Sequence, residues 1–391
     1  MVPPSVRDVR VLHTSDWHLG RSFHREGMLG AQSAFVDFLV ELARSERVDV
    51  VLVAGDVYDR ALPAVDAVQL FDDALARLAA TGARVLLLSG NHDSASRLGF
   101  GSRLLDAAGV HLRTDPSRVG EPVVIEDAHG PVAFYPLPYL EPDAVALRLG
   151  VSTRSHAAVL GEAMRRVKAD LARRGEGTRS VVAAHAFVAG GLASDSERDI
   201  TVGGVSVVPV ETFAGVDYAA LGHLHGAQTV TPWARYSGSP LAYSFSEATH
   251  VKSVALVDLD AGGLAGVQLV PCPVPRPLAR LRGTLESLLA DAALARHEQS
   301  YLQVTLTDAT RPREPMERLR ARFPHVLVLG HEPEQGLRTA VASYAERVRG
   351  LDDIALATGF IEHVRGSSAA AEETALLRLA LEAGRHADAG A

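Results

Sequence analysis

Apolar residues in the first part of the chain alternate between short continuous runs and longer stretches with helical spacing. The runs Val9 to His13, Asp49 to Ala54 and Arg84 to Leu88 have the length of buried strands. Between them, apolar residues recur every three or four positions over 34–42 and 68–78, which predicts two amphipathic helices. This order of strand, helix and strand predicts an α/β core with a largely buried sheet.

The alternation continues to about residue 270 and is then interrupted. A long helix is predicted over 160–171. Further strands are predicted over 132–137, 181–185, 218–221, 235–245 and 251–259. Proline then stands at every second position over 271–277. Because proline removes backbone donors and stiffens the chain, we interpret this stretch as a linker.

The remainder of the chain is predicted to form a small α/β unit followed by two helices. The expected strands lie near 279–282, 301–306 and 325–329, and the expected helices near 285–295, 315–322, 354–364 and 371–383. We therefore divide the chain into a domain over 1–270, a capping domain over 271–350 and C-terminal helices over 351–391. These last helices carry more apolar surface than they can bury alone, so they either pack on their own domain or dock onto a partner.

The composition is that of a mildly acidic globular protein, which narrows the choice of function. Among 391 residues, 39 Lys and Arg stand against 47 Asp and Glu, for a net charge of −8. Such a chain is not expected to coat nucleic acid through bulk positive charge, although a local basic groove or bound metal ions are compatible with it. The single cysteine, Cys272, excludes a disulfide framework and a zinc site built on paired thiolates. Without a signal peptide or a membrane-spanning apolar run, the cytoplasm is the expected location.

Side chains with metal-binding or acid–base chemistry follow five of the predicted strands. The five segments are Asp16-Trp17-His18, Gly55-Asp56, Gly90-Asn91-His92-Asp93, His185 and Gly222-His223-Leu224-His225. Sites in α/β sheets gather where strands end, so these segments are expected to meet. Residues two apart in an extended chain point to the same side, which lets Asp16 and His18 face one ion together.

The donors in these segments are imidazoles, carboxylates and an amide oxygen, a set that suits manganese, iron or zinc. They are Asp16, His18, Asp56, Asn91, His185, His223 and His225. Seven donors suffice for two ions with a carboxylate such as Asp56 between them, and two ions about 3.5–4 Å apart clamp an in-line displacement at phosphorus. Each segment alone would also fit a plain turn or a buried core histidine, but their combination favours a site.

The order Asp-x-His, Gly-Asp, Gly-Asn-His-Asp, His and Gly-His-x-His resembles that of the calcineurin-like metallophosphoesterases. The flanking residues are similar to those of one branch, the bacterial SbcD nucleases. The matching segments are 13–20, 89–94, 184–187, 221–226, 236–241 and 245–247. The resemblance implies an α/β fold of two packed mixed β-sheets flanked by helices, followed by a small α/β capping domain and C-terminal helices.

The resemblance also implies a role for each candidate residue. It implies two manganese ions per chain, with magnesium or another divalent cation as the alternative. The implied ligands are Asp16, His18 and His225 for the first ion, Asn91, His185 and His223 for the second, and Asp56 as a bridge. His92 corresponds to a histidine that binds no metal, contacts the scissile phosphate and assists the leaving oxygen.

Asp59 and several basic residues complete the candidate site. The stretch from Gly55 to Arg60 also resembles the Gly-Asp-x-x-Asp-Arg pattern of protein phosphatases, which implies that Asp59 orients His92. A helix-capping role is the alternative for Asp59. The candidates for contacts with DNA phosphates are Arg21, His24, Arg60 and Arg97. For each of these four, an ordinary solvated loop residue is the alternative.

The resemblance implies a manganese-dependent DNA nuclease that degrades double-stranded ends and cuts single-stranded or hairpin DNA. It implies an SbcC-type coiled-coil ATPase as partner, a homodimer within a heterotetramer, no contact with membranes, and work in DNA repair, recombination and replication at the nucleoid. Because the chain has no Gly-x-x-x-x-Gly-Lys-Ser/Thr loop, we expect it to bind no nucleotide itself. The C-terminal helices are the expected docking site of the ATPase. The alternatives are a small-molecule phosphodiesterase, a phosphoprotein phosphatase and a catalytically silent scaffold on the same fold.

Overall fold

The computed structural model describes residues 8–198, 207–333 and 351–388, and the chain forms two compact units, Met1–Ala279 and Arg280–Ala391. The strands are β1 Val9–Thr14, β2 Ser22–Phe23, β3 Glu26–Gly27, β4 Val50–Ala54, β5 Arg84–Leu88, β6 Val110–Arg113, β7 Val123–Asp127, β8 Gly130–Leu137, β9 Arg179–His185, β10 Tyr218–Gly222, β11 Gln228–Thr231, β12 Ala234–Tyr236, β13 Ser253–Asp260, β14 Gly263–Pro271, β15 Leu278–Gly283, β16 Tyr301–Leu306 and β17 Val326–His331. The helices are α1 Leu29–Ser45, α2 Val65–Ala79, α3 Ala95–Leu98, α4 Ser102–Leu105, α5 Pro142–Leu149, α6 His156–Arg174, α7 Leu285–Ala290, α8 Pro315–Arg322 and two C-terminal helices, Asp353–Arg365 and Ala371–Asp388.

Two six-stranded sheets form the framework of the first unit. The strand order is β14-β13-β1-β4-β5-β6 in one sheet and β11-β12-β10-β9-β8-β7 in the other. In the first sheet β1, β4, β5 and β6 run parallel, and in the second β8, β9, β10 and β12 do. Antiparallel strands complete both sheets, so both are mixed. Parallel neighbours end at the same edge of a sheet, which brings the loops after β1, β4 and β5 side by side.

Three buried apolar clusters account for the layering of this unit. One cluster joins residues of both sheets, such as Val11 and Leu52 from the first and Phe134 and Val181 from the second. The other two lie on the outer faces, where α1 and α2 cover the first sheet and α5 and α6 cover the second. Because strands buried on both faces have continuous apolar sequences, β1, β4 and β5 could be predicted from the sequence. The prediction of two packed mixed sheets flanked by helices is confirmed.

Two predicted elements differ from the structure, and local chemistry explains both. The strand predicted over 235–245 ends at Tyr236, because Gly238 has a φ of 78° and Pro240 has no N–H to donate to a ladder. The helix predicted near 285–295 ends at Ala290, and a separate 3-10 helix follows over Ala292–His297. The Asp291 side chain accepts a hydrogen bond from the N–H of Ala293 and so starts that second helix.

The second unit contains the small sheet β15-β16-β17, with α7 and α8, and the two C-terminal helices. Leu302, Val304 and Phe323 are fully buried in it. The strand over 301–306 and the helix over 315–322 lie where the sequence predicted them. Of the helices in residues 8–198, 207–333 and 351–388, none combines the length and the apolar character that a transmembrane segment needs.

Candidate metal centre

Five loops that follow strands of both sheets meet at one edge of the first unit. In the first sheet β1, β4 and β5 end just before Asp16, Asp56 and Asn91, and in the second sheet β9 and β10 end at His185 and just before His223. At most 4% of the surface is exposed in Asp16, His18, Asp56, His185, His223 and His225. The carboxyl ends of the two sheets therefore bury a concentrated set of polar side chains.

Main-chain hydrogen bonds join the loops after β1 and β4. The N–H of Asp16 donates to the carbonyl of Gly55, and that of His18 to the carbonyl of Asp56, both at 3.0 Å. Asp16, His18 and Asp56 have φ values of 56°, 48° and 50°, and His223 has a φ of 105°. Residues with side chains seldom adopt this left-handed region, and it persists only where the surroundings fix the backbone.

Asp16, His18 and His225 form one close group of donors. The Nε2 atoms of His18 and His225 lie 3.1 Å apart, and one ligand atom from each of the three residues lies within 4.8 Å of the others. The Ser15 hydroxyl donates to Asp16 Oδ2 at 2.6 Å, which fixes the orientation of that carboxylate. The structure thus brings together the residues predicted for the first ion.

Asp56, His185 and Asn91 form a second group beside the first. Asp56 Oδ2 lies 3.4 Å from His185 Nε2 and 3.7 Å from His18 Nε2, so this carboxylate stands between the two groups. Asn91 Oδ1 lies 2.8 Å from His185 Nε2. The other ring nitrogen of His185, Nδ1, donates to the carbonyl of Ala54 at 2.9 Å, which leaves Nε2 directed into the centre.

His223 is placed differently from the other predicted ligands. Its ring packs against that of His185, with the centroids 5.3 Å apart. Among the described residues, however, it belongs to no set of three imidazole or carboxylate donors whose ligand atoms lie within 4.8 Å of one another. Its main-chain N–H donates to both oxygens of Asp16 at 3.1 Å. His223 therefore orients the carboxylate of Asp16 through its main-chain N–H, and its imidazole ring remains available for the predicted role as a ligand.

Burial and neighbouring charges shift the pKa values of the centre in different directions. Burial lowers the pKa of His185, but the carboxylates of Asp56 and Asp16 and the carbonyl of Ala54 together raise it to about 9. Burial would raise the pKa of Asp56, but the charge and hydrogen bond of His185 hold it well below its usual range. Burial lowers the pKa of His18, and burial followed by the charge of His185 lowers that of His223 to about 3. His18 and His223 are thus neutral imidazoles that are available as ligands.

The residues present fit divalent cations. His18 Nδ1 and Asn91 Nδ2 are buried and have no hydrogen-bond partner among the described residues. The Nε2 atoms of His18 and His225, 3.1 Å apart, repel each other unless a proton or a cation lies between them. Burying this many polar groups is unfavourable without a compensating charge. The donor set of imidazole, carboxylate and amide oxygen suits manganese, iron or zinc.

His92 lies at the mouth of the centre with its side chain 14% exposed. Its Nδ1 donates to the main-chain carbonyl of Asp59 at 2.7 Å, and its Nε2 lies 4.0 Å from Asp56 Oδ2. The sequence predicted that Asp59 orients His92, as in protein phosphatases, where an aspartate pairs with the catalytic histidine. In the structure the contact is made by the carbonyl of Asp59, and its carboxylate lies 3.8 Å from His18 and 3.7 Å from Arg21.

Sequence reasoning assigned no role to Asp93, which ties two loops of the centre together. Its carboxylate accepts hydrogen bonds from the N–H groups of Val57, Tyr58 and Gly90. Burial and the neighbouring charge of Asp56 raise the pKa of Asp93 to about 7, although these hydrogen bonds oppose the shift. The Gly-Asn-His-Asp motif could have indicated this role, because its last residue is a carboxylate that is not among the predicted metal ligands.

The backbone at Gly90 approaches Asp56 so closely that no side chain fits. A Cβ at Gly90 would lie 2.1 Å from Asp56 Oδ1 and 2.4 Å from its backbone nitrogen. At Gly55, where φ is +93°, a Cβ would lie 2.5 Å from His185 Nδ1. Both glycines of the predicted motifs are therefore required by the packing of the ligands themselves.

A cleft of about 470 Å³ leads from the solvent to His92 and Asn91. Its lining includes Arg21, Arg60 and Arg198, of which Arg198 was not predicted. Arg21 lies over the ring of Tyr243 and donates to the carbonyl of Ser196 at 3.1 Å. Arg60 is 81% exposed.

The other two predicted DNA contacts lie outside the lining of this cleft. Arg97 is exposed and donates to the carbonyl of Ala61, which neighbours Arg60. His24 is also exposed and packs on Phe23 and Phe245.

The fold and the centre define a metal-dependent phosphoesterase scaffold. A sequence profile described as calcineurin-like phosphoesterase matches residues 9–227, and the chain belongs to this family. A second profile, described as type 5 capsule protein repressor C-terminal domain, matches residues 274–365. Both profiles together cover the two parts of the chain that the motifs and the domain order distinguished.

Among known proteins, the chain is similar to the SbcD component of the SbcCD nuclease of Staphylococcus saprophyticus, with 28% identity over 92% of this chain and 94% of that protein. This finding confirms the branch that the motifs indicated. Among solved structures, TT1561 of Thermus thermophilus has 13% identity and a TM-score of 0.41, and covers 68% of this chain and 99% of its own. A dimetal phosphatase from Danio rerio has 15% identity and a TM-score of 0.39, and covers 68% of this chain and 100% of its own.

Proposed function

We propose that the protein is the nuclease component of an SbcCD-type complex, a manganese-dependent enzyme that hydrolyses DNA phosphodiesters together with an SbcC-type ATPase. The observation that carries this proposal is a buried set of metal donors that opens, past His92, into a cleft whose lining includes three arginines beside Asp59 and Asp93. Anionic phosphodiesters match both features, because the cations act on the scissile group and the arginines bind the flanking backbone. The similarity to the staphylococcal nuclease component over nearly the whole chain supports a nucleic acid as the substrate, and the resemblance of the motifs implies DNA.

The ligands that we propose are those the sequence predicted. They are Asp16, His18 and His225 for one ion, Asn91, His185 and His223 for the other, and Asp56 between them. The position of Asp56 Oδ2, within 3.7 Å of an imidazole nitrogen of each group, supports the bridging role. Two divalent cations bound there would supply Lewis acidity at phosphorus and a water molecule of lowered pKa.

We propose that His92 is the catalytic residue that donates a proton to the leaving oxygen. Because a carbonyl can only accept, the bond to Asp59 places one ring proton on Nδ1 and aims Nε2 at the centre. A protonated Nε2 at that position can donate to an oxygen that departs from phosphorus. Asp59 acts as a positioning residue in this scheme, since it holds the ring and contacts no substrate.

The DNA strand is proposed to lie along the cleft and its rim. Arg21 is fixed by Tyr243 and by the carbonyl of Ser196, so it can bind a phosphate near the scissile bond with little loss of side-chain entropy. Arg60, Arg97 and His24 are exposed around it and supply the weaker, salt-dependent contacts.

End-labelled duplex DNA tests the proposed activity directly. We expect the purified protein to degrade this substrate in manganese, with a hairpin and a single strand as parallel substrates, and to act more slowly on a phosphomonoester and a small phosphodiester. Turnover of the small substrates with intact DNA would favour the phosphodiesterase or phosphatase alternative. No turnover of any substrate, with or without the ATPase partner and ATP, would favour the silent scaffold.

A homodimer is part of the proposal, and one exposed patch supports it. Leu62, Val65, Phe100 and Leu104 are each at least 72% exposed, and the hydrogen bond from Arg97 to the carbonyl of Ala61 joins their two segments. Exposed apolar clusters of this kind mark interfaces. We expect Phe100→Glu to convert the dimer to a monomer in sedimentation experiments. Leu147→Glu, at an equally exposed leucine on α5, is the matched control and should leave the dimer intact.

The C-terminal helices are the proposed docking site of the ATPase. Their exposed apolar side chains include Phe360, Val364, Leu376 and Leu379. A coiled-coil partner with a complementary apolar stripe would bury them. We expect Phe360→Glu to abolish capture of the ATPase while the nuclease activity of the free protein is unchanged, and equal capture by both proteins would contradict this assignment.

A further inference from the structure

Three buried polar side chains form a chain that leads away from His225, on the side of its ring opposite the metal centre. Ser196 Oγ lies 2.6 Å from His225 Nδ1 and 2.5 Å from Glu247 Oε1, and Glu247 Oε2 is paired with Lys252 Nζ. All three side chains belong to residues that are at most 9% exposed. We call Ser196, Glu247 and Lys252 the serine relay.

The charged end of the serine relay is fully hydrogen-bonded. Lys252 Nζ has three protons and three acceptors, which are Glu247 Oε2, the carbonyl of His225 at 2.9 Å and Ser239 Oγ at 2.9 Å. Glu247 Oε1 also accepts the N–H of Tyr243 at 3.2 Å. A buried ion pair is costly to keep without such hydrogen bonds, and here each group has them. Glu247 is therefore an ionised carboxylate, which can only accept.

The direction of each hydrogen bond in the relay follows from this. Since Glu247 only accepts, the single hydroxyl proton of Ser196 is donated to it. Ser196 Oγ must then accept at its remaining contacts, which are His225 Nδ1 and, at 3.1 Å, Ser194 Oγ. His225 Nδ1 therefore carries a proton and donates to it. The ring nitrogen that can offer a lone pair to a cation is consequently Nε2, which lies 3.1 Å from His18 Nε2.

The backbone of His225 is fixed by charged side chains as well. Its N–H donates to Glu197 Oε1 at 2.7 Å, and its carbonyl accepts from Lys252. The ring nitrogen Nδ1, the N–H and the carbonyl of one residue are thus all bound by side chains outside the predicted ligand set. Such contacts fix both the orientation and the tautomer of a metal-binding histidine.

We propose that the serine relay positions His225 as a ligand, because it holds the ring proton on Nδ1 and presents the Nε2 lone pair to a divalent cation. This inference rests on the proposed metal centre and adds to it Ser196, Glu247 and Lys252 as positioning residues that do not touch the cation. Ser196 connects the Glu247 carboxylate to the His225 ring, and Lys252 neutralises the charge of that carboxylate. The relay therefore fixes the tautomer of His225 without burying further net negative charge near the ion.

Ser196→Ala tests the relay with a matched control in Ser246→Ala. Ser246 Oγ accepts from the N–H of Asp195 at 3.0 Å, so it connects the same two segments as the Ser196–Glu247 bond without contacting His225. Manganese binding is measured by calorimetry without DNA, and the tautomer of His225 by nitrogen NMR of the metal-free, histidine-labelled proteins. We expect Ser196→Ala to weaken the binding of one ion about 10- to 100-fold and Ser246→Ala to leave it unchanged.

The NMR measurement separates a positioning role from a purely structural one. Loss of the Nδ1-protonated state of His225 in Ser196→Ala, together with the selective loss of affinity, would support the relay. An unchanged tautomer, or equal loss of affinity in both variants, would overturn it and reduce Ser196 to a link between two segments. If the wild-type protein binds no manganese, the proposed metal centre fails, and the tautomer comparison in the metal-free proteins still decides the relay.

Discussion

The floor of the metal centre and the rim of its cleft are built in opposite ways. On the floor, Asp16, His18 and Asp56 are buried, have left-handed backbone conformations and are fixed by main-chain hydrogen bonds. On the rim, Arg60 is 81% exposed and pairs with its neighbour Asp59, while Arg97 donates to one carbonyl. The floor fixes its groups before any substrate arrives, and the rim leaves its groups free to follow one.

This difference indicates that the floor lowers the activation free energy, whereas the rim contributes to the free energy of DNA binding. Preorganised dipoles and charges lower an activation barrier because they need not reorganise during the reaction. Exposed arginines contribute to binding mainly through release of counterions, and salt screens that contribution. Changes to the floor should therefore affect the chemical step and the cations, and changes to the rim should affect affinity for DNA.

Removal of the cations should have the largest effect, because it removes the function of the whole floor. After treatment with a chelator, we expect hydrolysis of end-labelled duplex DNA to fall to background, and manganese to restore it. The melting temperature, measured in parallel, should rise when manganese is returned, because the ion binds only the folded state. Full activity in the chelator would refute a metal-dependent mechanism.

His92→Ala comes next and separates catalysis from metal binding. Loss of a positioned proton donor should lower the rate of DNA hydrolysis about 100- to 10,000-fold, with manganese affinity unchanged in calorimetry. His129→Ala is the matched control, since His129 is an exposed histidine that contacts Asp8. Equal rates for the two variants would remove His92 from the mechanism.

Gly90→Ala tests how closely the floor is packed. The new Cβ would meet Asp56 Oδ1 at 2.1 Å, so the carboxylate must move, and we expect manganese binding to weaken about 10- to 100-fold. At Gly30 in α1, a Cβ would lie more than 4 Å from every described atom outside its chain neighbours and the backbone of its own helix, so Gly30→Ala should bind manganese normally, with stability equal or higher by about 0.5–1 kcal/mol. Unchanged manganese affinity in Gly90→Ala would show that the floor can accommodate the extra methyl group, and would contradict this prediction.

Arg60→Ala should have the smallest effect and one confined to the rim. We expect affinity for duplex DNA to fall a few-fold, and the slope of log K against log salt to decrease by about one unit, with unchanged turnover at saturating DNA. Arg44→Ala is the control, since Arg44 is an exposed arginine on α1 that pairs with Glu41. A large loss of turnover in Arg60→Ala would place this residue with the floor.

The sequence predicted the strands that are buried along their whole length and the metal-binding motifs that follow these strands. β1, β4, β5 and β9 are apolar runs, and each is followed by a motif whose residue types define a metal centre. The edge strands β6, β7 and β11 were not predicted, because they are short and their residues alternate with exposed positions. Pairing at an edge depends on the neighbouring strand, which a local pattern does not contain.

The supporting contacts of the site were harder to predict than the ligands. The bond between His92 and Asp59 uses a main-chain carbonyl, and a backbone atom leaves no trace in residue type. Ser196 and Glu247 come together across 51 residues of chain, so only the fold brings them to His225. Lys252 offered a faint signal, since it is one of two lysines in a chain that otherwise uses arginine.

The left-handed backbone at Asp16, His18, Asp56 and His223 has a consequence for how this protein can change. Each such conformation costs about 1–3 kcal/mol, against a total stability of about 5–15 kcal/mol for a typical domain. Glycine at any of these positions would relieve that cost and remove a ligand in the same step. Selection for thermal stability alone, in the laboratory or in nature, would therefore favour glycine at these positions before it changed the sheets. The resulting variants would be more stable but would have lost metal ligands and, with them, activity.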